Sequence, residues 1–338
     1  MSAVRGWCPS AHRPMMSGDG LLVRVRPLMA RLSAAQARRL ADLSDEYGNG
    51  LIDLTSRGNL QIRGVGEDRF PELLQVLIEA HLVGADPRQE TPLTVTPFPD
   101  TGGQTEALVE AIEAVADELP DLPDKMGVVV DTGDTGWLAE ISGDFRFERA
   151  GGELMLRPDG AAKGRPVSLE TAGAALLELA DWFVETGGAE SRRMRRHIGG
   201  RELPHSWSVV APDKGRKSSV PNWAEGHFGV AFGQVTSAAL RKLVSISEGS
   251  ALVFTPWRSV VLTNILDGEA DILVGQSRGE TTDANISVSK QRARLLELIS
   301  AEDTSLIGDA GDPRLNVVAC PGAPGCSQAS IETRELAT

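Results

Sequence analysis

Aromatic residues and positive charge are both scarce in this sequence of 338 residues. Only 4% of the residues are aromatic, and only one is a tyrosine, so stacking platforms for single-stranded nucleic acid are poorly supplied. The chain carries 34 Lys and Arg residues against 47 Asp and Glu residues, which gives a net charge of −13. That balance argues against a general nucleic-acid binder, so no nucleic-acid partner is expected.

Long apolar runs are missing as well. No stretch of about 18 apolar residues occurs, so no membrane span is expected. Residues 1–14 lack the apolar core of a secretory signal, and the expected location is therefore the cytoplasm. Hydrophobic residues still make up 41% of the chain, which allows a sizeable core and predicts two or three domains.

Cysteine is rare, and its three copies exclude a disulfide framework. Cys8 is alone near the start, whereas Cys320 and Cys326 lie close together in a loop of Pro and Gly. That loop would let both sulfurs face one iron cluster, with backbone N–H groups available to its sulfides. Zinc motifs more often have shorter spacings, and two inert thiols are the plain alternative.

Charge is unevenly distributed along this acidic chain. Residues 1–63 hold nine basic and five acidic side chains, and residues 190–217 hold eight and three, whereas residues 64–153 hold five and twenty. Two basic islands in an acidic protein would gather an anionic small molecule. For the arginines of residues 192–196, a solvated helix end or linker is the alternative interpretation.

The sequence contains an internal repeat of a β-α-β unit. The copies are offset by 203 residues at the start of the helix and by 200 at the later strand, so the second copy is three residues shorter. This agreement predicts duplication and a pseudo-two-fold arrangement, although any two β-α-β units share some likeness. In the first copy we predict a strand at Gly20–Arg26, a helix at Ala34–Tyr47 capped by Ser33, and strands at Leu51–Leu54 and Leu60–Arg63. In the second copy we predict a strand at Gly229–Gly233, a helix at Ala238–Ser247 capped by Thr236 or Ser237, and strands at Ala251–Thr255 and Val260–Asn264.

Outside the repeat, hydrophobic periodicity and turn residues predict further elements. The predicted helices are Asp68–Gly84, Gly103–Glu118, Leu169–Thr186 and Ile286–Leu298; the predicted strands are Lys125–Asp131, Gly136–Ile141 and Leu315–Ala319; and Pro204–Pro221 is predicted to be a linker.

A candidate carboxylate clamp lies around the turn of residues 55–61. Arg57 and Gln61 offer donors there, and Arg24 and Arg26 project from one side of the preceding strand because they are two residues apart. Bidentate pairing of arginine with carboxylate suits such a group, and Lys125 would add one more positive charge. Exposed strand arginines on a solvated face are the alternative.

These features together resemble the nitrite/sulfite reductase superfamily over roughly residues 4–338. The resemblance rests on the repeated unit, the Thr-x-Arg-x-x-x-Gln pattern of residues 55–61 and the Cys-Pro-x-x-x-x-Cys loop. Within the superfamily, the chain resembles the branch that oxidises a tetrapyrrole in aerobic cobalamin biosynthesis. The matching segments are Arg5-Gly6-Trp7-Cys8-Pro9, Pro14-Met15, residues 18–24, residues 122–127, Thr255-Pro256-Trp257-Arg258 and residues 319–326.

The resemblance implies an α+β fold with two ferredoxin-like half-repeats and two α/β modules related by a pseudo-two-fold axis. The implied segments are a first half-repeat at 1–90, a first α/β module at 91–203, a linker at 204–225, a second half-repeat at 226–275 and a second α/β module at 276–338. The last of these carries the iron–sulfur loop and is expected to be truncated, because the family's second cysteine pair is absent from the sequence.

Two departures distinguish branches of the superfamily. Assimilatory reductases place a second lysine two positions after the one that matches Lys125, where this chain has Gly127. They also carry Arg-Asn-Val where this chain has Thr91-Pro92-Leu93. Those groups serve sulfite or nitrite bound on sirohaem, so their absence disfavours sirohaem and leaves Arg57 and Lys125 for the carboxylates of a tetrapyrrole substrate.

The implied activity is that of an oxidoreductase, an O₂-dependent monooxygenase. It would hydroxylate precorrin-3A at C20 and close a γ-lactone from the ring A acetate. The resemblance implies a [4Fe–4S] cluster with Cys320 and Cys326 as ligands, a further iron centre, and an electron donor such as NADH through a reductase or ferredoxin. Arg24, Arg57, Gln61 and Lys125 are the expected substrate-binding residues, and no catalytic residue is identified.

Two other functions stay open. One is a sirohaem-dependent sulfite or nitrite reductase, and the other is a truncated, non-catalytic tetrapyrrole-binding protein. None of the five histidines has ligand-like spacing, and His227, beside the second repeat, is the best of them as a candidate iron ligand.

Overall fold

The computed structural model describes residues 9–87, 94–97, 103–123, 125–133, 136–150, 152–211, 227–247, 251–262 and 305–337. The chain divides into two compact units. The two-repeat unit comprises Pro9–Glu90 and Pro221–Thr338, and the middle unit comprises Met1–Cys8 and Thr91–Val220. The five-segment division implied by the resemblance stays a prediction.

Both repeats lie in the two-repeat unit. Its elements in the first repeat are β1 (Met15–Ser17), β2 (Gly20–Val25), β3 (Arg31–Leu32), α1 (Ala34–Tyr47), β4 (Leu51–Leu54), β5 (Leu60–Val65) and α2 (Phe70–Glu79). The later elements are β12 (His227–Val230), β13 (Gln234–Thr236), α7 (Ser237–Ile246), β14 (Leu252–Phe254), β15 (Ser259–Leu262), β16 (Leu306–Ile307) and α8 (Thr333–Leu336).

Each repeat lends one short strand to the sheet of the other. The first sheet has the order β1-β2-β5-β4-β13, and the second has the order β16-β12-β15-β14-β3. Strand β13 pairs antiparallel with β4, and β3 pairs antiparallel with β14. This reciprocal exchange is the arrangement that a pseudo-two-fold axis produces, and it confirms that the β-α-β units are duplicates.

Backbone geometry follows the offsets found in the sequence. Met29 has a φ of 56°, and Phe232, 203 residues later, has a φ of 55°. Ser33 caps α1 by accepting from Gln36 N in a capping box, and Thr236, again 203 residues later, caps α7 by accepting from Ala239 N. Helix α1 therefore starts where predicted, and α7 starts at Ser237, one residue before the predicted Ala238, with Thr236 rather than Ser237 as the cap.

One hydrophobic core serves both repeats. Alternate residues of the first sheet, including Val23 and Ile62, point to one face and are fully buried. Helices α1 and α7 pack against each other, with Leu40 and Leu240 buried in the same apolar cluster. Buried residues of both repeats thus belong to one main apolar cluster, and a small second cluster of Ala231, Phe232 and Ile307 lies in the second repeat.

The middle unit is an α/β module around a mixed sheet of order β11-β10-β9-β8-β7-β6. Strands β6, β7 and β8 are parallel, and the remaining pairs are antiparallel. Helices α3 and α4 pack on each other beside this sheet. Its elements are β6 (Thr94–Pro97), α3 (Gln104–Glu113), β7 (Gly127–Asp131), β8 (Phe145–Ala150), β9 (Glu153–Pro158), β10 (Lys163–Pro166), α4 (Leu169–Glu185), α5 (Gly188–Ser191), α6 (Met194–His197) and β11 (Val209–Val210).

The prediction of a strand at Gly136–Ile141 is wrong, because those residues form turns. Side chains, rather than a neighbouring strand, satisfy the backbone there. The Asp131 carboxylate accepts from Leu138 N at 2.9 Å, and the buried Arg146 guanidinium donates to the carbonyl oxygens of Leu138 and Ile141. Two backbone hydrogen bonds within the turns, from Ala139 N to Gly136 O and from Ile141 N to Leu138 O, complete this pattern without a strand ladder.

The predicted strand at Leu315–Ala319 is also wrong. Pro313–Asn316 forms a 3₁₀ turn, capped by the Asp312 side chain, which accepts from Arg314 N. Pro313 sets the backbone for that turn and cannot donate to a ladder. Cys320 is therefore reached from a turn and an extended segment.

Smaller differences concern element ends. The strand predicted at Gly229–Gly233 stops at Val230 and gives way to a 3₁₀ turn, and the helix predicted at Asp68–Gly84 is α2. The helix predicted at Gly103–Glu118 is α3 followed by a separate 3₁₀ turn at Ala116–Glu118. Within Pro204–Pro221, Val209–Val210 is an edge strand, and the helix predicted at Ile286–Leu298 lies outside the described residues. Among the helices that the structure describes, none has the length and apolarity to cross a bilayer.

A substitution at Gly58 would test the close contact between the two repeats. Gly58 has a φ of 69°, and a Cβ added there would lie 2.6 Å from Ala30 Cβ and 2.7 Å from Phe254 O, in the partner repeat. We expect Gly58→Ala to lower the free energy of unfolding by about 2–4 kcal/mol, through left-handed strain plus overpacking. Native-state hydrogen exchange of the helix amides in the unit that carries the substitution measures the loss.

Gly103→Ala is the matched control, because Gly103 has a φ of 67° and nothing lies within 4 Å of its added Cβ. It should lose only the strain, about 1 kcal/mol. Equal losses in the two variants would show that the close approach at Gly58 does not matter.

Candidate functional site

A row of polar side chains crosses the first sheet. Arg24 on β2 pairs with Gln61 on β5, Gln61 pairs with Asp53 on β4, and Asp53 pairs with Gln234 on β13. Directly paired residues share one face of a sheet, so these four side chains form a line on the side opposite the core. We call this line the polar row.

Hydrogen bonds connect the polar row at both ends. The Arg24 guanidinium donates to Gln61 Oε1 from Nε at 3.1 Å and from Nη2 at 2.6 Å. The Gln234 amide donates to Asp53 Oδ1 at 2.8 Å. The structure thus brings together two of the predicted substrate-binding residues, Arg24 and Gln61, and both are half-buried.

Arg57 lies on the turn between β4 and β5. Thr55 organises that turn, since its Oγ1 accepts from Arg57 N at 3.3 Å and from Asn59 N at 3.1 Å. The turn immediately precedes the strand that carries Gln61, as the sequence predicted. Lys125 belongs to the middle unit, in an exposed turn just before β7, so its share in the clamp stays a prediction.

Arg63 is buried under the same face rather than presented to a ligand. Its side chain is only 3% exposed and forms ion pairs with Asp19 at 2.8 Å and with Asp53 at 3.1 Å. Its position two residues after Gln61 placed it on this face in the sequence, but nothing in the sequence pattern paired it with Asp19, which is 44 residues away.

The cysteine loop, residues 320–326, is seated on the hairpin between β1 and β2. The carbonyl oxygen of Gly325 accepts from Ser17 Oγ at 2.6 Å and from Arg63 Nη2 at 2.8 Å. Cys326 N donates to Gly322 O at 2.7 Å and closes the turn. Both cysteines are free thiols, with Cys320 exposed and Cys326 half-buried.

Cys320 has surroundings that favour its thiolate. The Thr333 hydroxyl donates to Cys320 O at 2.6 Å and lies 3.6 Å from the sulfur. Hydrogen bonding by Thr333, and then by the Gly322 backbone, lowers the pKa of the Cys320 thiol, and Arg334 acts in the same direction. A thiolate is the form that binds metal. Within the described parts of the chain, however, no three His, Cys, Asp or Glu side chains converge on one point.

Arg334 is a site residue that sequence reasoning missed. It lies on α8, directly after the cysteine loop, and its Nη2 approaches Asp53 Oδ1 at 3.5 Å. Burial lowers the pKa of its guanidinium; Asp53 opposes that shift, whereas the neighbouring Arg63 and Arg258 add to it. The only sequence signal was a basic residue shortly after the cysteines, and that signal is weak.

The remaining candidates have structural roles. His227 Nε2 lies 2.6 Å from Ser259 Oγ in the buried interior of the second sheet, which is the environment of a packed histidine. In the basic run, Arg193 pairs with Asp144, and Arg195 pairs with Asp159. Two of those arginines therefore form ion pairs within the middle unit, at the start of α6, which favours the helix-end interpretation of that run.

Asp53 neutralises the buried guanidinium of Arg63 and the half-buried guanidinium of Arg334, so its charge is expected to matter for stability. We expect Asp53→Asn to lower the free energy of unfolding of the two-repeat unit by about 2–4 kcal/mol, because it leaves buried positive charge uncompensated. Urea denaturation followed by far-ultraviolet circular dichroism measures the change.

Asp42→Asn is the control for that substitution, since Asp42 pairs with Arg241 between α1 and α7 but is 44% exposed. A surface pair is worth less than about 1 kcal/mol, so this variant should remain close to the parent. Similar losses at Asp42 and Asp53 would contradict the importance assigned to the buried charge.

Comparison with known proteins gives results that agree with this architecture. Residues 13–80 match the nitrite/sulfite reductase ferredoxin-like half domain. The chain is 28% identical over 363 aligned positions to a precorrin-3B synthase from Sinorhizobium sp., covering 99% of this chain and 73% of that protein. It is 29% identical to a ferredoxin–nitrite reductase from Leptolyngbya laminosa over 105 positions, which are 31% of this chain and 20% of that protein.

Among solved structures, the NirA protein of Mycobacterium tuberculosis superposes with a TM-score of 0.67 at 19% identity. The match covers 94% of this chain, which spans 62% of the length of that protein. The predicted α+β class is therefore confirmed, and so is the resemblance to precorrin-3B synthase, which extends through both repeats and the cysteine loop. The chain has the nitrite/sulfite reductase-like fold, and its residues 13–80 are similar to the ferredoxin-like half domain of those reductases.

Proposed function

We propose that this chain is a precorrin-3B synthase, an oxidoreductase of aerobic cobalamin biosynthesis. One observation carries the proposal: similarity to a precorrin-3B synthase extends over 99% of the chain, whereas similarity to the nitrite reductase covers 31%. The reaction is the O₂-dependent conversion of precorrin-3A to precorrin-3B. One oxygen atom enters the product at C20, the other leaves as water, and the two electrons required come from NADH through a reductase or ferredoxin.

The polar face of the first sheet is the proposed binding surface for the tetrapyrrole. Arg57, on its turn, pairs with a peripheral carboxylate, and Arg24 with its Gln61 partner supports a second contact on the same face. Lys125 is proposed as a further anchor. These residues bind and orient the substrate, while the bulk of the acidic surface keeps the protein soluble.

The cysteine loop provides part of a site for a [4Fe–4S] cluster. Two cysteines in one turn, one of them with a lowered thiol pKa, fit half of a four-thiolate donor set. The sequence has three cysteines in all, so a cluster with four cysteine ligands takes at least one from elsewhere. When bound, such a cluster supplies electron relay; this chain contributes two ligands, the Thr333 contact at Cys320 and the anchoring of Gly325.

A sirohaem reductase is less well supported. Gly127 occupies the position of a second lysine in the assimilatory reductases, and its N–H donates to the buried carboxylate of Asp144 at 3.2 Å. That position is the first residue of a fully buried strand, so it offers no cation to a bound anion.

The activity is tested by incubating the purified protein with precorrin-3A, ¹⁸O₂ and an electron-donor system, followed by mass spectrometry. Precorrin-3B that carries one ¹⁸O atom is the expected product. An absorption spectrum of the same preparation separates the alternatives: strong visible sirohaem bands together with sulfite or nitrite reduction would contradict the proposal.

The clamp is tested by titrating an anionic tetrapyrrole against Arg57 variants. Arg57→Ala should weaken binding by roughly ten- to a hundred-fold, because it loses a charge-assisted hydrogen bond. Arg57→Lys should recover part of the affinity, since an ammonium group cannot pair bidentately. Arg38→Ala, at an exposed position on α1, is the control and should bind like the parent. If folded Arg57→Ala binds the tetrapyrrole as tightly as the parent, Arg57 is an ordinary turn residue and the clamp is wrong.

Iron and sulfide analysis tests the role of Cys320. Cys320→Ser should lose at least half of the bound iron relative to the parent, since a hydroxyl is a poor cluster ligand. Cys326→Ser should behave in the same way. A Cys320→Ser protein with full iron and sulfide content would show that the loop does not hold the cluster.

A further inference from the structure

Arg63 directs donors to three separate parts of the two-repeat unit. Nε and Nη2 donate to the Asp19 carboxylate at 3.1 and 2.8 Å, and Nη1 donates to Asp53 at 3.1 Å. Nη2 also contacts Ser17 Oγ at 3.1 Å and donates to Gly325 O at 2.8 Å. A single planar group thus joins the β1–β2 hairpin, strand β4 and the cysteine loop.

The cysteine loop meets the hairpin at very short range. The Gly325 carbonyl accepts from Arg63, from Ser17 Oγ at 2.6 Å and from Gly18 N at 3.4 Å. A Cβ on Gly18 would lie 2.4 Å from Pro324 O and 2.8 Å from Ser327 N, so only glycine allows this approach. The loop is therefore seated on the hairpin through its backbone, at the residue just before Cys326.

We propose that Arg63 is a positioning residue that fixes the cysteine loop relative to β5, the strand that carries Gln61 of the polar row. Arg63 and Gln61 are two residues apart on β5, so the guanidinium that holds Gly325 is carried by the same strand as a predicted substrate contact. Two carboxylates within 3.1 Å already compensate its charge, and it is 3% exposed, which fits an internal tether and not a substrate anchor.

Any role in catalysis for the contact between Arg63 and Gly325 O depends on the proposed function, whereas the contact itself does not. We expect that loosening the contact at Gly325 exposes the adjacent Cys326. The test uses the full 338-residue chain, kept reduced, with pulses of iodoacetamide at fixed pH and peptide mass spectrometry that reads Cys320 and Cys326 separately. The chain is first freed of bound iron with a chelator, so neither substrate nor cluster enters this measurement and its failure is distinguishable from failure of the proposed activity.

Arg63→Lys keeps a positive charge beside Asp19 and Asp53, but one ammonium group cannot also reach Gly325 O. We expect alkylation of Cys326 to speed up roughly tenfold or more, the effect of removing a hydrogen bond from a charged donor. Ser17→Ala removes the other strong donor to Gly325 and should speed alkylation by about three- to tenfold. Ser17→Ala leaves Arg63 in place, so it decides the question if Arg63→Lys does not fold.

Asn49→Ala is the matched control. Asn49 Nδ2 donates to Asp19 Oδ2 at 3.1 Å and so touches the same ion-pair cluster, but not the loop. It should leave the rate at Cys326 within about twofold of the parent. Parent-like rates in both Arg63→Lys and Ser17→Ala would overturn the proposal. Equal acceleration in all three variants would overturn it too, because Arg63 would then merely stabilise the unit.

Discussion

The reciprocal exchange of β3 and β13 is the constraint on which the rest of the two-repeat unit depends. Each strand has only two or three residues, yet each closes the sheet of the other repeat. A strand so short has little stability by itself and is held by the chain on either side of it. The exchange therefore requires both repeats to be folded together. Burial of apolar residues from both repeats in one cluster stabilises that state.

That exchange also places the last member of the polar row, Gln234, beside Asp53. Gln234 reaches Asp53 only because β13, from the second repeat, is the edge strand beside β4. Asp53 then compensates Arg63 and Arg334, and Arg63 holds the cysteine loop. A chain of contacts thus runs from the interlock between repeats to the loop that bears Cys320 and Cys326, all within one unit.

The sequence was sufficient to predict the elements whose information is local. The cap at Ser33, helix α1 and the two strand positions around the Arg57 turn follow from capping residues and periodicity, and the structure confirms them. The strand predicted at Gly136–Ile141 was wrong because the Arg146 side chain, on the following strand, donates to the carbonyl oxygens of Ile141 and Leu138. Such satisfaction of backbone groups by a side chain leaves no trace in the pattern of apolar residues.

The ion pairs of the candidate site could not be predicted from the sequence either. The basic character of residues 1–63 suggested several arginines as candidates for an anion, and two of the predicted site residues, Arg24 and Gln61, lie together in the structure. It could not show that Arg63 is compensated by Asp19 and Asp53, since ion pairs depend on which strands become neighbours. Nor could it identify Arg334, which reaches Asp53 from 281 residues away.

The two equivalent turns show how a duplicated scaffold carries a single asymmetric site. Thr55 N donates to Asn59 O at 2.9 Å, and 200 residues later Thr255 N donates to Ser259 O at the same distance. The backbone conformation is also repeated, since Gly58 and Arg258 both have positive φ. Side chains differ where the backbone does not: the first turn carries Arg57, and the second carries Trp257 at the corresponding position.

At the next position of the two turns, the first repeat has Gly58 and the second has Arg258. Gly58 is packed too tightly against Phe254 O to carry a side chain, whereas Arg258 accepts the strained conformation and lies over Gly233. The first turn thus approaches the other repeat through Gly58, whereas the second turn places Arg258 over Gly233 of its own repeat. The two turns therefore carry their cations at different positions. Duplication therefore fixes the backbone of the two turns, while substitution at a few turn positions determines which residue of each turn carries the positive charge.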